Sequence, residues 1–242
     1  MQRFLTTVKG IEEFALLPIS SSVKEISARS KRNSVIGSRK TETLDEEAGL
    51  YIKNKEYGIE KDAALVNPMF KSVLKHDFNT QNCQFCSIAY DLRRRGYEVM
   101  ANERVHGGTV DWFRNMYKPP ARSIASYPGN KEYTEREWMA KEHKASNKEK
   151  MKALEDGILE HGGTRGEFSF IWGNGYGAHS MQYEVENGVV NIIDAQSGKV
   201  FNGVKKYFSK GSGNNTSGYY LINRLDNLEP DYEKIKKIGV IK

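Results

Sequence analysis

The chain has 242 residues, with 37 Lys and Arg against 31 Asp and Glu and a formal net charge of +6. Its pI is about 9.1 and its mean hydropathy −0.66. Such a length gives one sizeable domain with a tail, or two small ones, and a hydrophobic content of 38% is low for a chain that is all core. The basic balance serves solubility or an acidic partner; no RNP, zinc-finger or helix-turn-helix signature accompanies it, so nucleic acid is not the expected partner. No run reaches the roughly 18 apolar residues of a membrane span, and no long apolar stretch near Met1 suggests a secretory signal. The two cysteines, Cys83 and Cys86, stand three positions apart. That spacing excludes a disulfide framework and suits a reducing, cytoplasmic compartment.

In chain order, residues 1–45 are rich in Ser, Lys, Arg and Thr and read as a flexible basic arm. Residues 46–242 read as the folded domain. From Asp45 to Lys75 one short helix and a loop at Asn67-Pro68 are expected. The clearest helix runs from Cys83 to about Arg95, with Asn82 as a side-chain N-cap. Phe85, Ile88, Ala89 and Leu92 fall at helical spacing and form its buried stripe. Arg93-Arg94-Arg95 complements the helix dipole and Gly96 is the natural stop. Tyr97 to Ala101 fits a short strand.

Residues 102–134 read as a long surface excursion broken at Gly107-Gly108 and Pro119-Pro120. Glu135 to about His161 reads as a charged amphipathic helix or helix pair, so that 102–161 forms an insertion. The texture then changes to strands: Gly166–Trp172, His179–Glu186, Val189–Ala195 and Tyr219–Ile222. Helices first and a sheet later give an α+β class.

The pair Asn187-Gly188 between two alternating runs is a strong hairpin signal. A two-residue turn there sets Glu186 opposite Val189, Val185 opposite Val190, Tyr183 opposite Ile192, Met181 opposite Asp194 and His179 opposite Gln196. One face then carries His179, Met181, Tyr183, Val185, Val190, Ile192, Asp194 and Gln196. The other carries Ser180, Gln182, Glu184, Glu186 and Asn191. His179 and Asp194 become diagonal neighbours, roughly 7–8 Å apart at the backbone. A helix from Cys83 packed on the apolar face would present its thiol to that imidazole.

The chemistry follows from these residue types. A thiol at a helix N-terminus has a depressed pKa, because the dipole and the free N–H groups favour the thiolate. A His oriented by an Asp can shuttle its protons. Cys83 is the candidate nucleophile, because the first-turn N–H groups beside it can hold an oxyanion; Cys86, a turn further in, reads as packing. His179 is the candidate base and Asp194 its orienting acid, with Gln196 and Asn82 in support. Asp194 has a plainer alternative, capping a turn at Gln196-Ser197-Gly198. Cys-x-x-Cys also suits a zinc or redox module, but no second ligand pair exists for zinc, and a thioredoxin-like motif would follow a strand whereas Asp77 to Gln81 is polar. No metal and no cofactor is expected.

The ordered set Asn82-Cys83-Gln84-x-Cys86, Arg93-Arg94-Arg95-Gly96-Tyr97-x-Val99-x-Ala101, Gly163-Thr164-Arg165-Gly166, Gly177-Ala178-His179, Asp194-Ala195-Gln196-Ser197-Gly198 and Asp226-Asn227-Leu228 resembles the papain-fold toxin family, the Tox-PL domains of bacterial polymorphic toxins, phage and mobile elements. The similarity covers about residues 67–228. It departs where Ala195 replaces the Pro of an Asp-Pro-Gln motif. The resemblance implies a papain-like fold with a catalytic helix packed on an antiparallel sheet. It further implies a cysteine hydrolase with Cys83, His179 and Asp194 as its triad, deamidating a glutamine on a protein substrate. A toxin or effector of that kind would have an immunity protein as a possible partner, and would stay in the producing bacterium or reach a target cell without a signal peptide. A cysteine protease, a deubiquitinase-like hydrolase and a transglutaminase use the same three groups. A phage-associated binding or structural protein is the alternative from another class.

Overall fold

The computed structural model describes residues 43–71, 81–104, 109–126, 146–172, 177–210 and 216–242. All of them belong to one compact unit, 41–242. The expected basic arm lies outside the described residues except for its last three positions, and so does most of the stretch from Glu135 to Ser146.

The fold is α+β and consists of an antiparallel sheet covered by helices on both faces. Six strands form the sheet: β4 (Ser123–Ser126), β5 (Arg165–Trp172), β6 (Ala178–Glu186), β7 (Val189–Asp194), β8 (Lys199–Asn202) and β9 (Thr216–Arg224), in the order β4-β9-β5-β6-β7-β8. Two small ribbons lie beside it, β1 (Thr43–Asp45) with β2 (Leu50–Ile52), and β3 (Tyr117–Lys118) with β10 (Glu229–Pro230).

The β6–β7 hairpin follows from its turn. Asn187 and Gly188 both have positive φ, 51° and 76°. A two-residue turn of that kind matches the twist of the flanking strands. Glu186 pairs with Val189, Val185 with Val190 and Tyr183 with Ile192, and the ladder ends at Gln182–Ile193. The expected pairs Met181–Asp194 and His179–Gln196 do not form. Asp194 instead pairs with Lys199 as the chain turns into β8, while the start of β6 stays paired with β5 alone, Phe170 opposite His179. The two strands of the hairpin therefore part at the end where His179 lies.

The alternation of β6 and β7 splits the core in two. Met181, Tyr183, Val190 and Ile192 point to one face, where they meet Leu154 and Ile158 of α4 (Asn147–His161) and Val204, Tyr207 and Phe208 of α5 (Val204–Lys210). Ile193 points to the other, into a cluster with α1 (Ile59–Val66) and α2 (Cys83–Arg94). The helix α4 opens with a capping box, Ser146 and Glu149. It supplies core side chains, so the end of the 102–161 stretch is no surface addition. Nor is its beginning: Phe113, Met116, Tyr117 and Ala121 are buried, Phe113 on the one-turn helix α3 (Val110–Arg114). Tyr97 to Ala101 makes only isolated bridges, Tyr97 to Ile52 and Ala101 to Ile241, and is not a strand. At Asn67-Pro68 the expected loop is a 3-10 turn over Pro68–Lys71. The last helix is α6 (Tyr232–Ile238), closed by Gly239 in the left-handed conformation.

The helix α2 packs on the face opposite to the one expected. The apolar face is already covered by α4 and α5, and α2 lies on the face of Ser180, Gln182 and Glu184. It supplies a partner to each: Ser87 Oγ lies 2.9 Å from Ser180 Oγ, Gln182 Nε2 donates to the Ser87 carbonyl at 2.9 Å while its Oε1 stays buried without a partner among the described residues, and Tyr90 Oη donates to Glu184 at 2.7 Å. Phe85, Ile88, Ala89 and Leu92 are buried as expected, but so are Ser87, Tyr90, Asp91 and Arg93. The helix is enclosed on every side.

Its three arginines do more than complement a dipole. Arg93 is fully buried and pairs with Asp62 at 3.0 Å and Glu98 at 2.7 Å. Arg94 pairs with Glu184 at 2.7 Å and Asp62 at 3.2 Å, and Arg95 with Asp91 at 2.8 Å. Such pairs hold position through geometry more than they add stability, and here they fix where the head of α2 stands.

Candidate active site

Cys83 is the first residue of α2. Its side chain is half-buried, and its sulfur neighbours the His179 ring and the backbone N–H groups of Ser180 and Gln84, all of which favour its charged form. The approach to Ser180 falls where the hairpin has parted, since β7 has left β6 at this level. The Gln84 contact follows from the helix start, whose first-turn N–H groups have no carbonyl one turn back.

His179 lies at the beginning of β6 and is mostly covered. Its Nε2 faces Asp194 Oδ1 at 3.6 Å, which leaves Nδ1 as the ring nitrogen for the sulfur. Trp172, two residues beyond Phe170 on β5, stacks on the imidazole at 5.9 Å and 21°, and Phe170 meets it edge-on at 5.8 Å. The ring is thus walled on the sheet side by two aromatics. Asp194 closes the turn into β8 as well, because Ser197 donates its hydroxyl to Oδ2 at 2.6 Å and its N–H to Oδ1 at 3.3 Å. This carboxylate both caps the turn and faces the His179 ring. Gly198, at φ +69°, completes the turn against α1, where a Cβ would lie 3.1 Å from the Ala64 Cα.

The charges agree with the geometry. Burial pushes the Cys83 thiol up, but the His179 hydrogen bond and charge, helped by the two N–H groups, bring it below its ordinary 9.0. Burial alone would lower His179; the Asp194 carboxylate and the Cys83 sulfur raise it from 6.5 to about 10. Asp194 is lowered against its own burial by His179 and Ser197. The three shifts together favour a thiolate beside an imidazolium backed by a carboxylate over the neutral pair.

Cys86 differs in every respect. It is wholly buried, and burial together with the nearby Cys83 and Asp194 charges raises its thiol well above the ordinary value. Its Sγ donates to Asn82 Oδ1 at 3.3 Å.

Asn82 does not cap the helix with its side chain. Its Oδ1 also accepts from Asn67 Nδ2 and Gln196 Nε2, each at 3.3 Å, while its Nδ2 donates to the Asn102 carbonyl at 2.8 Å. The side chain is a buried hub joining the end of α1, the head of α2, the strand-like 97–102 segment and the turn after β7. Gln196 therefore supports the head of α2 and not His179. Asn67 also donates to the Gln196 carbonyl at 3.1 Å. Sequence reading missed Asn67, Trp172 and Ser180. Trp172 could have been found by extending the register from Phe170–His179; Asn67 carries no signal beyond its place before Pro68.

Behind the site lies one more buried group. Glu167, on the α2 face of β5, accepts from Ser169, Ser180 and Asn223, and its carboxyl is raised above the ordinary range, by burial first. Among the described residues no group of three or more His, Cys, Asp or Glu is disposed to hold a metal ion, and no described helix is long and apolar enough to cross a membrane. Comparison of the chain with protein-family models, with curated proteins and with solved structures gives no match.

Proposed function

We propose that this chain is a cysteine-dependent amide hydrolase of papain-like fold, a toxin or effector that deamidates a glutamine side chain on a target protein. One observation carries the reading: the sulfur at the head of α2 lies against the imidazole of His179, whose far nitrogen faces Asp194 at 3.6 Å. The sequence resemblance adds the substrate class, a protein-bound carboxamide.

In this reaction the Cys83 thiolate attacks the amide carbon. The oxyanion is held by first-turn N–H groups of α2, which need not reorganise as charge develops. The His179 imidazolium gives its proton to the leaving nitrogen, so that ammonia departs and a thioester remains on Cys83. The now neutral imidazole takes a proton from water, the hydroxide adds to the thioester, and the carboxylate is released with the thiolate restored. Asp194 keeps the ring turned toward the sulfur and stabilises its charged form throughout. The walls of Trp172 and Phe170 restrict water around the ion pair, which strengthens it.

The test is proteome-wide. A bacterial or host cell lysate is incubated with the parent chain or with Cys83→Ala, and proteins are compared by mass spectrometry. A hydrolase of this class produces Gln-to-Glu conversions, each adding about 1 Da without chain cleavage, as expected for attack at a side-chain amide. New chain termini instead of conversions would make it a protease. Products identical with the parent and the Cys83→Ala protein would overturn the proposal.

A further inference from the structure

The amide-hydrolase reading uses one of the two cysteines and leaves the other without a task. Cys86 is three residues on from Cys83, one turn along the same side of α2. Its thiol is directed back toward the first turn, where it donates to the side chain of Asn82, the residue before Cys83. Residues three apart on a helix have Cβ atoms about 5–6 Å apart, whereas a disulfide needs about 3.5–4.5 Å. The gap is small and falls in the most deformable part of the helix. Cys83 is the first helical residue, and the bond that opens the helix runs from the Cys86 N–H to the Asn82 carbonyl at 2.9 Å; tightening that turn toward 3-10 geometry draws the two sulfurs together. Accessibility differs between the sulfurs as well. Cys83 is half-buried and Cys86 is 0% exposed, so a small oxidant meets Cys83 first and Cys86 acts on the product from inside the helix.

We infer that Cys83 and Cys86 form a peroxide-sensitive dithiol, in which Cys86 resolves an oxidised Cys83 into an intramolecular disulfide and so switches the site off reversibly. In the first step the Cys83 thiolate attacks one oxygen of hydrogen peroxide. The O–O bond breaks, the departing hydroxide takes the His179 proton as water, and Cys83 is left as a sulfenic acid. In the second step the Cys86 sulfur attacks the Cys83 sulfur; the S–O bond breaks, and the hydroxide leaves as water with the Cys86 proton. The two sulfurs together lose two electrons, which peroxide accepts. A dithiol reductant reverses the change by exchange. A disulfide closed across so tight a span carries strain, which makes it easy to reduce and suits a switch better than a staple. The resolved form is also protected, because a sulfenic acid left exposed goes on irreversibly to sulfinic acid.

The inference concerns the same sulfur as the proposed hydrolase but needs no substrate for its test, so the two can fail separately. The reduced full chain is exposed to hydrogen peroxide, then alkylated under denaturing conditions and weighed intact. The expected result is loss of both alkylatable thiols together, an unalkylated mass lower by about 2 Da, and full recovery of both thiols with dithiothreitol. Cys86→Ser and Cys86→Ala are expected to stop at a dimedone-reactive sulfenic acid on Cys83 and then to gain about 32 Da as sulfinic acid. A parent chain that accumulates sulfenic or sulfinic acid on Cys83 while Cys86 stays alkylatable would overturn the inference, as would a disulfide that links two chains. Should the Cys86 variants fail to fold, the thiol count of the parent chain decides alone.

Discussion

Replacing Asp194 by Asn removes one charge from the site and little else, which makes it a clean probe of the ion pair. The N–H and hydroxyl of Ser197 hold different oxygens of the carboxylate, so the amide oxygen keeps the N–H and the rotatable hydroxyl turns to accept from the amide nitrogen. What is lost is the attraction between a carboxylate and an imidazolium 3.6 Å apart. At that separation the interaction is about 1 kcal/mol with full water screening and about 5 kcal/mol at an effective dielectric near 20. The site lies between these limits, since the His179 and Asp194 side chains are 11% and 18% exposed. At about 1.4 kcal/mol per tenfold, the thiolate–imidazolium form falls by roughly one to three powers of ten relative to the neutral pair. The assay is the rate of Cys83 alkylation by iodoacetamide as a function of pH, followed by peptide mass spectrometry. Asp194→Asn is expected to alkylate more slowly than the parent at neutral pH, with its rise displaced to higher pH. Ser197→Ala is the control: it loses a hydrogen bond worth about 1 kcal/mol of stability but keeps the charge, so its alkylation profile follows the parent. An Asp194→Asn profile superimposable on the parent's would refute the reasoning.

Three further outcomes are expected. Turnover should have two limbs. It rises as Cys83 loses its proton, at a pH below the ordinary 9.0, and falls as the raised His179 gives up its proton near pH 10, because the proton source for the leaving group is then gone; alkylation, which needs no acid, shows the first limb without the second, and a matching alkaline fall in both would contradict this assignment. Asn82→Ala strands three donors and one carbonyl in a buried place, at a cost of about 2–4 kcal/mol in urea unfolding; a variant as stable as the parent would show the hub to be dispensable. Asp62→Asn should be more damaging than Arg93→Met. The first leaves Lys53, Arg93 and Arg94 crowded without their shared carboxylate, about 3–5 kcal/mol, while the second leaves Asp62 two cations and releases Glu98, which is 44% exposed, to water. Equal losses in the two would contradict that ranking.

What the sequence made legible was local. Asn187-Gly188 determined the hairpin register through its turn as far as Gln182–Ile193, and His179 and Asp194 lie just beyond the point where the strands part. The strands β5, β6, β7 and β9 were readable from alternation, and the class α+β from their order. What stayed hidden depended on partners far away in the chain. Ser180, Gln182 and Glu184 look like a solvent face until Ser87, Tyr90 and Arg94 of α2 are laid on them, so the face chosen by α2 was read wrongly. Arg93-Arg94-Arg95 looked like a dipole complement because Asp62 is about thirty residues upstream. Asn82 looked like a cap because its true partners, Asn67, Asn102 and Gln196, come from three separate segments. The ribbon of β1 and β2, and the short elements β8 and α5, were too brief for any period to declare itself.

The central claim is that the sulfur at the head of α2 performs acyl transfer with His179 as its proton carrier. Reaction of the purified chain with p-nitrophenyl acetate tests this most directly, since it asks for acylation and hydrolysis without a specific substrate. The account predicts a burst of p-nitrophenol equal to the enzyme present, an acetyl group mapped to Cys83, and continued turnover that Cys83→Ala abolishes and His179→Ala loses. Release of p-nitrophenol at the same rate from the parent and from Cys83→Ala would contradict it.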